Sequence, residues 1–322
     1  MAVFTPVSDK DAQALLTQYN LGSLVSLQGI SAGIENTNYF LDTTQGRYVL
    51  TIFEVLTHQQ LPFYIELMHH LAQHSVPVPE PQTQRNGERL TTLHGKPCAI
   101  VSRLRGRHES DPGVTHCRLA GATLAQAHLA GRDFMLQQPN LRSLPWWQEV
   151  IPKVLPFLSA QQAALIQAEL ATQTRFFASA EHAALPSGPA HCDLFRDNVL
   201  FDGDHEHPSM GGFIDFYFAG CDAWLFDVAV AVNDWCIHRA DGSWQPELLQ
   251  AWLHAYAQVR PFTPEEKQAW PLMLRAAAMR FWVSRLYDFY RPREAETLQP
   301  HDPSHFERVL QARIQAGAPQ LP

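Results

Sequence analysis

Leu61, Ile65, Met68 and Leu71 recur at the three- and four-residue spacing of an amphipathic helix. Pro62 falls in its first turn, where a missing N–H removes no intrahelical bond. Upstream the pattern shortens. Residues 23–30, 37–43 and 47–54 read as strands, with Thr44-Gln45-Gly46 turning between the last two. A short capped helix precedes them, running from Asp9-Lys10-Asp11 through Ala14, Leu15, Leu16 and Tyr19 to Gly22. Val76-Pro77-Val78-Pro79-Glu80-Pro81 is extended and stiff. Asn86-Gly87 predicts a hairpin that pairs the preceding strand with residues 89–93. Residues 98–104 read as a buried strand, broken by Arg105-Gly106-Arg107.

Beyond that break the periodicity is helical. Residues 115–130 place Leu119, Ala122, Thr123, Gln126 and Ala127 on one face, and Ser159 caps a long helix over 159–180. Further helices are predicted over 224–237, 246–259, 264–290 and 304–316. Residues 139–156, with Trp146-Trp147, read as irregular, covering a substrate site or simply packing. Strand pieces at 198–201 and 212–215 flank a loop over 202–210. The implied architecture is α+β: a small, mostly antiparallel β lobe over 1–104 and a larger, mostly helical lobe over 105–322, with the chemistry at the seam.

Composition narrows the function. The 322 residues are 46% hydrophobic and 17% charged, enough to bury a sizeable core. A net charge of −8 without a basic run excludes a nucleic-acid footprint. No apolar stretch approaches the roughly 20 residues of a membrane span, and the first ten residues lack the apolar core of a secretion signal. Five scattered cysteines without a CxxC pair suit a reducing, cytoplasmic setting. The sixteen histidines form no HExxH.

The chemistry concentrates in His191-Cys192-Asp193-Leu194-Phe195-Arg196-Asp197-Asn198-Val199-Leu200, followed by Ile214-Asp215-Phe216. Phosphoryl transfer needs one carboxylate to orient and deprotonate an acceptor hydroxyl, and an amide with a second carboxylate to hold Mg2+ against phosphates. Magnesium prefers few hard protein oxygens, with phosphate and water completing its shell. An Asp and an Asn that merely turn a loop are the plain alternative. A small-residue loop, Gly29 to Asn38, lies between two strands and can lay backbone N–H groups over phosphates; a glycine-containing hairpin explains it equally. Glu66 lies off its helix's apolar stripe, a candidate for an ion pair across the cleft or an ordinary solvated glutamate. Cys192, beside Asp193, raises the question of oxidation sensitivity.

These motifs resemble the aminoglycoside-phosphotransferase and choline-kinase type of protein-kinase-like fold, over nearly the whole chain. Within it several blocks resemble the kinase-fold homoserine kinases: Met1-Ala2-Val3-Phe4-Thr5-Pro6, Gly33-Ile34-Glu35-Asn36-Thr37-Asn38-Tyr39-Phe40, Tyr48-Val49-Leu50-Thr51-Ile52-Phe53-Glu54, Leu61-Pro62-Phe63, the Asp193–Asp202 run, Asn233-Asp234-Trp235-Cys236 and Arg280-Phe281-Trp282-Val283-Ser284-Arg285-Leu286. The resemblance implies transfer of the ATP γ-phosphate to the side-chain hydroxyl of L-homoserine, on the route to threonine. Asp193 would be the base, Asn198 and Asp215 the Mg2+ ligands, and His191 a buried brace for the loop. Asp227 would tie down the loop backbone, or else cap its own helix. Gly33, Glu35, Asn36, Thr37 and Asn38 would cover the nucleotide phosphates, and Ser102, Arg103 and Leu104 would form the hinge beside adenine. Thr51 stands where the wider superfamily places a phosphate-binding Lys or Arg, and it recurs in the homoserine-kinase pattern. Arg196 and Arg103 are the candidate replacement cations.

Homoserine carries a carboxylate and an ammonium. Arg280 and Arg285 are candidates to clamp the first; five residues apart, they stand about 140° around a helix, so one of them is expected to face the pocket. Asp234 or Glu35 would meet the ammonium, with Phe195, Tyr217 and Trp235 as walls; surface ion pairs and ordinary core are the alternatives. Other acceptors remain open at this point. Choline would want an aromatic cage, which Trp235, Trp282 and Tyr287 allow, and an aminoglycoside would want an acidic rim. Ethanolamine or a sugar fits the same fold, and Thr51 leaves room for a non-catalytic nucleotide-binding relative.

Overall fold

The computed structural model describes residues 4–30, 36–291 and 302–322. Gly33 and Glu35, and the first three residues, lie outside them. The chain divides into two compact units, one of Met1–Arg105 with Gly212–Ile214, the other of Gly106–Gly211 with Asp215–Pro322.

The first unit is built on a five-stranded antiparallel sheet in the order β1-β2-β3-β5-β4. Its strands are β1 (Leu24–Gly29), β2 (Asn36–Thr43), β3 (Arg47–Phe53), β4 (Thr91–Leu93) and β5 (Lys96–Ser102). Strict alternation in β2 buries Thr37, Tyr39, Leu41 and Thr43 on one face. That face meets Leu15, Leu16 and Tyr19 around α1 (Asp9–Leu16), which a Ser8–Asp11 capping box starts. The apolar stripe of α2 (Pro62–Gln73) buries Ile65, Met68 and Leu71 as its periodicity predicts. Asn86-Gly87 does turn the chain, with Gly87 at φ +93° and its N–H donating to the Gln84 carbonyl. The strand pairing differs from expectation, however: β4 pairs forward with β5, across a turn at His94-Gly95 where both residues have positive φ. Glu66 forms its ion pair with Arg89 of this same unit, at 2.9 Å.

The second unit is mainly helical: α3 (Val114–Ala130), α4 (Leu144–Val154), α5 (Ala160–Phe177), α6 (Ala180–Ala183), α7 (Trp224–Trp235), α8 (Pro246–Val259), α9 (Pro264–Tyr290) and α10 (Ser304–Gln315). Two short ribbons complete it: β6 (Ser187–Ala190) antiparallel to β9 (Gly220–Ala223), and the hairpin of β7 (Val199–Gly203) with β8 (Pro208–Phe213). The backbones of α3 and α8 approach closely at Gly121, where a β-carbon would stand 2.4 Å from the Trp252 carbonyl oxygen. Where an irregular segment was expected, α4 forms despite Pro145 and Pro152 and buries Trp147, Val150, Ile151 and Val154. Burial of this apolar face outweighs the bond that Pro152 removes. Among the described residues no helix is long and apolar enough to cross a membrane.

Candidate active site

A single helix holds the 191–198 loop. Asp227 and Asp234 lie seven residues apart on α7, two turns along one face. Asp227 is fully buried; its two carboxylate oxygens accept the N–H of His191 at 2.7 Å and of Cys192 at 2.8 Å. Trp235 Nε1 donates to the Leu194 carbonyl at 3.0 Å. Asp234 Oδ2 accepts the Arg196 N–H at 2.9 Å and its Nε–H at 3.0 Å. Four backbone groups of the loop, at His191, Cys192, Leu194 and Arg196, are therefore pinned to one rigid element, which allows Cys192 to keep a left-handed φ of +62°.

Behind Asp227 runs a buried polar chain. Arg260 donates to the Tyr256 hydroxyl at 3.0 Å, Tyr256 lies 2.7 Å from His128 Nδ1, and His128 Nε2 lies 3.0 Å from Asp227. Every donor finds an acceptor if His128 is neutral with its proton on Nε2. Burial holds the His128 pKa below its ordinary value in agreement with that state. Burial alone would raise Asp227, but the bonds from His128 and the loop amides outweigh it and keep its carboxylate ionised. This is the loop-anchoring role expected of Asp227.

The three chemical groups all belong to the second unit, and the charge of Asp215 acts on Asp193. Asn198, at the end of a short 3-10 turn, donates Nδ2–H to the Asp193 carbonyl at 2.8 Å and to Asp193 Oδ2 at 3.3 Å. Asp215 is exposed and left-handed at φ +63°, a conformation that Asp tolerates better than most residues. Burial pushes the Asp193 carboxyl up to about 8; the Arg280 guanidinium opposes that rise, and the charges of Asp215 and Asp197 add to it. His191 is buried with its ring 4.6 Å from that of Phe216. The thiol of Cys192 is buried and raised well above its ordinary pKa by burial, so it is a poor target for oxidation.

Several expected roles change. Arg196 cannot serve as a loose phosphate-binding cation: its guanidinium is held by Asp234 and by the Ser110 carbonyl, the latter at 3.0 Å. Asp234 is correspondingly committed to Arg196 rather than to an ammonium. Trp235 is fully buried under the loop, and Phe195 packs on Phe281 at 4.4 Å, so both are supports rather than open walls. Tyr217 is half-buried in the 3-10 turn after Asp215. Arg280 and Arg285 both act on the charge of Asp193, opposing the rise that burial causes.

The residues expected at the nucleotide lie in the first unit. Thr51 Oγ1 donates to Asn38 Oδ1 at 2.8 Å across the β2–β3 pair, and Asn36 stands opposite Phe53. Thr37 is buried, accepting the Phe4 and Thr5 N–H groups and donating to Glu54, so it is a structural group. Ser102 Oγ accepts the Glu80 N–H at 2.8 Å. Arg103 stacks 3.8 Å above Phe40 and 3.9 Å from Asp42, and Leu104 packs against Gly212. The cation of this sheet that sequence reasoning left aside is Lys96, which pairs with Glu54 and donates to Thr5 Oγ1 at 2.8 Å.

The chain's relatives point the same way as its geometry. The phosphotransferase enzyme family matches residues 26–262. A homoserine kinase of Burkholderia vietnamiensis is 60% identical over 326 residues, covering 100% of this chain and 98% of its own. That of Burkholderia multivorans is 60% identical over 328 residues with the same coverage. Among solved structures, an amicoumacin kinase in complex with AMP-PNP, Ca2+ and Ami superposes with a TM-score of 0.71 at 14% identity, covering 97% of this chain and 94% of that one. A microcompartment-associated aminopropanol kinase gives 0.64 at 17%, covering 95% and 94%. At such identities these two establish the fold alone.

Proposed function

Because the chain belongs to the homoserine kinases of the phosphotransferase enzyme family, we propose that it phosphorylates the side-chain hydroxyl of L-homoserine from ATP through Asp193, Asn198 and Asp215. The observation that carries the assignment of residues is the contact of Asn198 with Asp193 on a loop fastened to α7, with the charge of Asp215 acting on Asp193 from beyond β8. Asp193 accepts the hydroxyl proton and aims the oxygen at the γ-phosphorus. Asn198, with its Nδ2 committed to Asp193, fixes the direction of its own Oδ1. The donor set suits Mg2+: a carboxylamide oxygen and an exposed carboxylate are hard ligands, and the repulsion from Asp215 and Asp197 that adds to burial in raising Asp193 is of the kind a dication relieves. Bound with ATP, Mg2+ supplies charge neutralisation for the phosphates.

On this reading the first unit serves the nucleotide and the second the acceptor, and the reaction runs in the cytoplasm. Positioning and charge do most of the work in phosphoryl transfer, which agrees with a loop held rigid by a network of hydrogen bonds to α7 and within itself rather than with a covalent intermediate. ADP release followed by a coupled assay over homoserine, choline, ethanolamine, serine, threonine and several aminoglycosides tests the assignment. Turnover should be fastest with homoserine. Turnover with another alcohol and none with homoserine would retain the kinase and reject the acceptor.

A further inference from the structure

Arg280 is a buried cation with a donor that nothing satisfies. Its side chain is 3% exposed, and among the described residues its Nε has no hydrogen-bond partner and the guanidinium no salt bridge. Aromatic rings surround it instead: Phe281 at 4.3 Å, Phe218 at 5.6 Å and Trp146 at 5.9 Å from the guanidinium carbon. Ring faces stabilise a cation but accept no strong in-plane N–H bond. Burial first, with the like charges of Arg142 and Arg285 and against the pull of Asp193, lowers the Arg280 pKa to about 10. A buried charge without a partner is strongly destabilising, so such a site is retained where an anion joins it.

Arg142 faces the same rings. Its guanidinium carbon lies 4.5 Å from the centre of Trp146 and 5.9 Å from that of Phe218. The backbone carrying it is fixed on both sides: its N–H donates to Asn140 Oδ1 at 2.9 Å, and its carbonyl accepts Trp147 Nε1–H at 2.6 Å. Two guanidinium groups thus share two aromatic walls, from the turn before α4 and from the middle of α9, and that of Arg280 is within electrostatic reach of Asp193. A forked donor pair between flat rings matches the planar, bidentate geometry of a carboxylate. In homoserine the carboxylate and the hydroxyl terminate one short aliphatic chain, so seating the first beside Arg280 brings the second towards Asp193.

We propose that Arg142 and Arg280 form the seat for the substrate carboxylate and thereby make the enzyme select a hydroxy amino acid over simple amino alcohols. The proposal rests on the homoserine reading and adds to it the residues that enforce it. The test compares L-homoserine with 3-amino-1-propanol, which lacks only the carboxylate, in the wild-type protein and in Arg142→Ala and Arg280→Lys. Loss of a hydrogen bond to a charged group should lower kcat/KM for homoserine about 10- to 100-fold and weaken its affinity by calorimetry to the same extent. Turnover of 3-amino-1-propanol and the KM for MgATP should move less than about threefold, since neither uses the carboxylate seat. Equal losses on both acceptors, or a raised KM for MgATP with homoserine affinity intact, would overturn the proposal, the second outcome assigning the arginines to phosphate. Failure of the wild-type protein to turn over homoserine would sink the functional reading itself.

Discussion

Asp227→Ala removes an acceptor from two buried N–H groups and from a buried imidazole at once. Each orphaned buried donor costs about 1–3 kcal/mol. Three of them, at the lower end of that range, make an expected loss of about 3–5 kcal/mol, read as a fall in the urea midpoint at unchanged slope. Asp227→Asn is the milder probe, because its amide oxygen still accepts one of the two loop N–H groups while its NH2 opposes the other. It should lose about half as much stability, or 1–3 kcal/mol. Its larger effect should fall on turnover: with one anchor gone, Cys192 relaxes from a left-handed backbone that costs about 1–2 kcal/mol, and Asp193 moves with it. A fall in kcat of about tenfold or more, with little change in KM for MgATP, is the expected signature of a positioning residue. Unchanged kcat and an unchanged urea midpoint in Asp227→Asn would refute the claim that α7 sets the loop.

Other variants probe neighbouring parts of the account. Asp215→Ala should abolish divalent-dependent turnover more completely than truncation of Tyr217, and added Mg2+ should not restore it in a metal titration. Arg196→Met should destabilise the protein by about 3–5 kcal/mol by leaving Asp234 half-buried and unpaired, with the remaining folded fraction keeping its KM for MgATP; a raised KM with normal stability would return Arg196 to a phosphate role. Burial raises the Asp222 carboxyl to about 6, against the hydrogen bonds from Asn140 and the Ala223 N–H. Its unfolded value is about 3.9, so between these limits the folded state binds more protons and stability falls as pH rises from about 4 to about 6, by about 2–3 kcal/mol in total. Asp222→Asn should remove that slope, and melting curves that fall equally in both proteins over this window would contradict it.

Much of this arrangement was legible in the chain before any coordinates. The bounds of α8 and α9 follow from Pro246 and Pro264, each at the first helical position, and the alternation in β2 identified its buried face. The contact of Asn198 with Asp193 was legible because both belong to one short loop. What escaped notice was tertiary. Nothing near Arg196 reveals that its partner lies 38 residues on at Asp234, so a cation beside a catalytic acid looked available to phosphate. Residues 187–190, Ser-Gly-Pro-Ala, lack the β-branched residues that mark strands, and their partner β9 is distant in sequence. Reading residues 139–156 as irregular hid α4, and with it the turn that carries Arg142. The Trp146-Trp147 pair was the available signal: Trp147 is fully buried, whereas Trp146 lies beneath an arginine.

The central claim is that Asp193 delivers the homoserine hydroxyl to the γ-phosphate. The most direct measurement is the rate of O-phospho-L-homoserine formation, followed by mass spectrometry, in the wild-type protein and in Asp193→Asn at saturating MgATP. The variant preserves size and can still meet Asn198, so it should fold and bind nucleotide normally while losing about 10²- to 10⁴-fold in kcat, the usual range for a lost general base. A variant forming the same product at the wild-type rate would contradict the account.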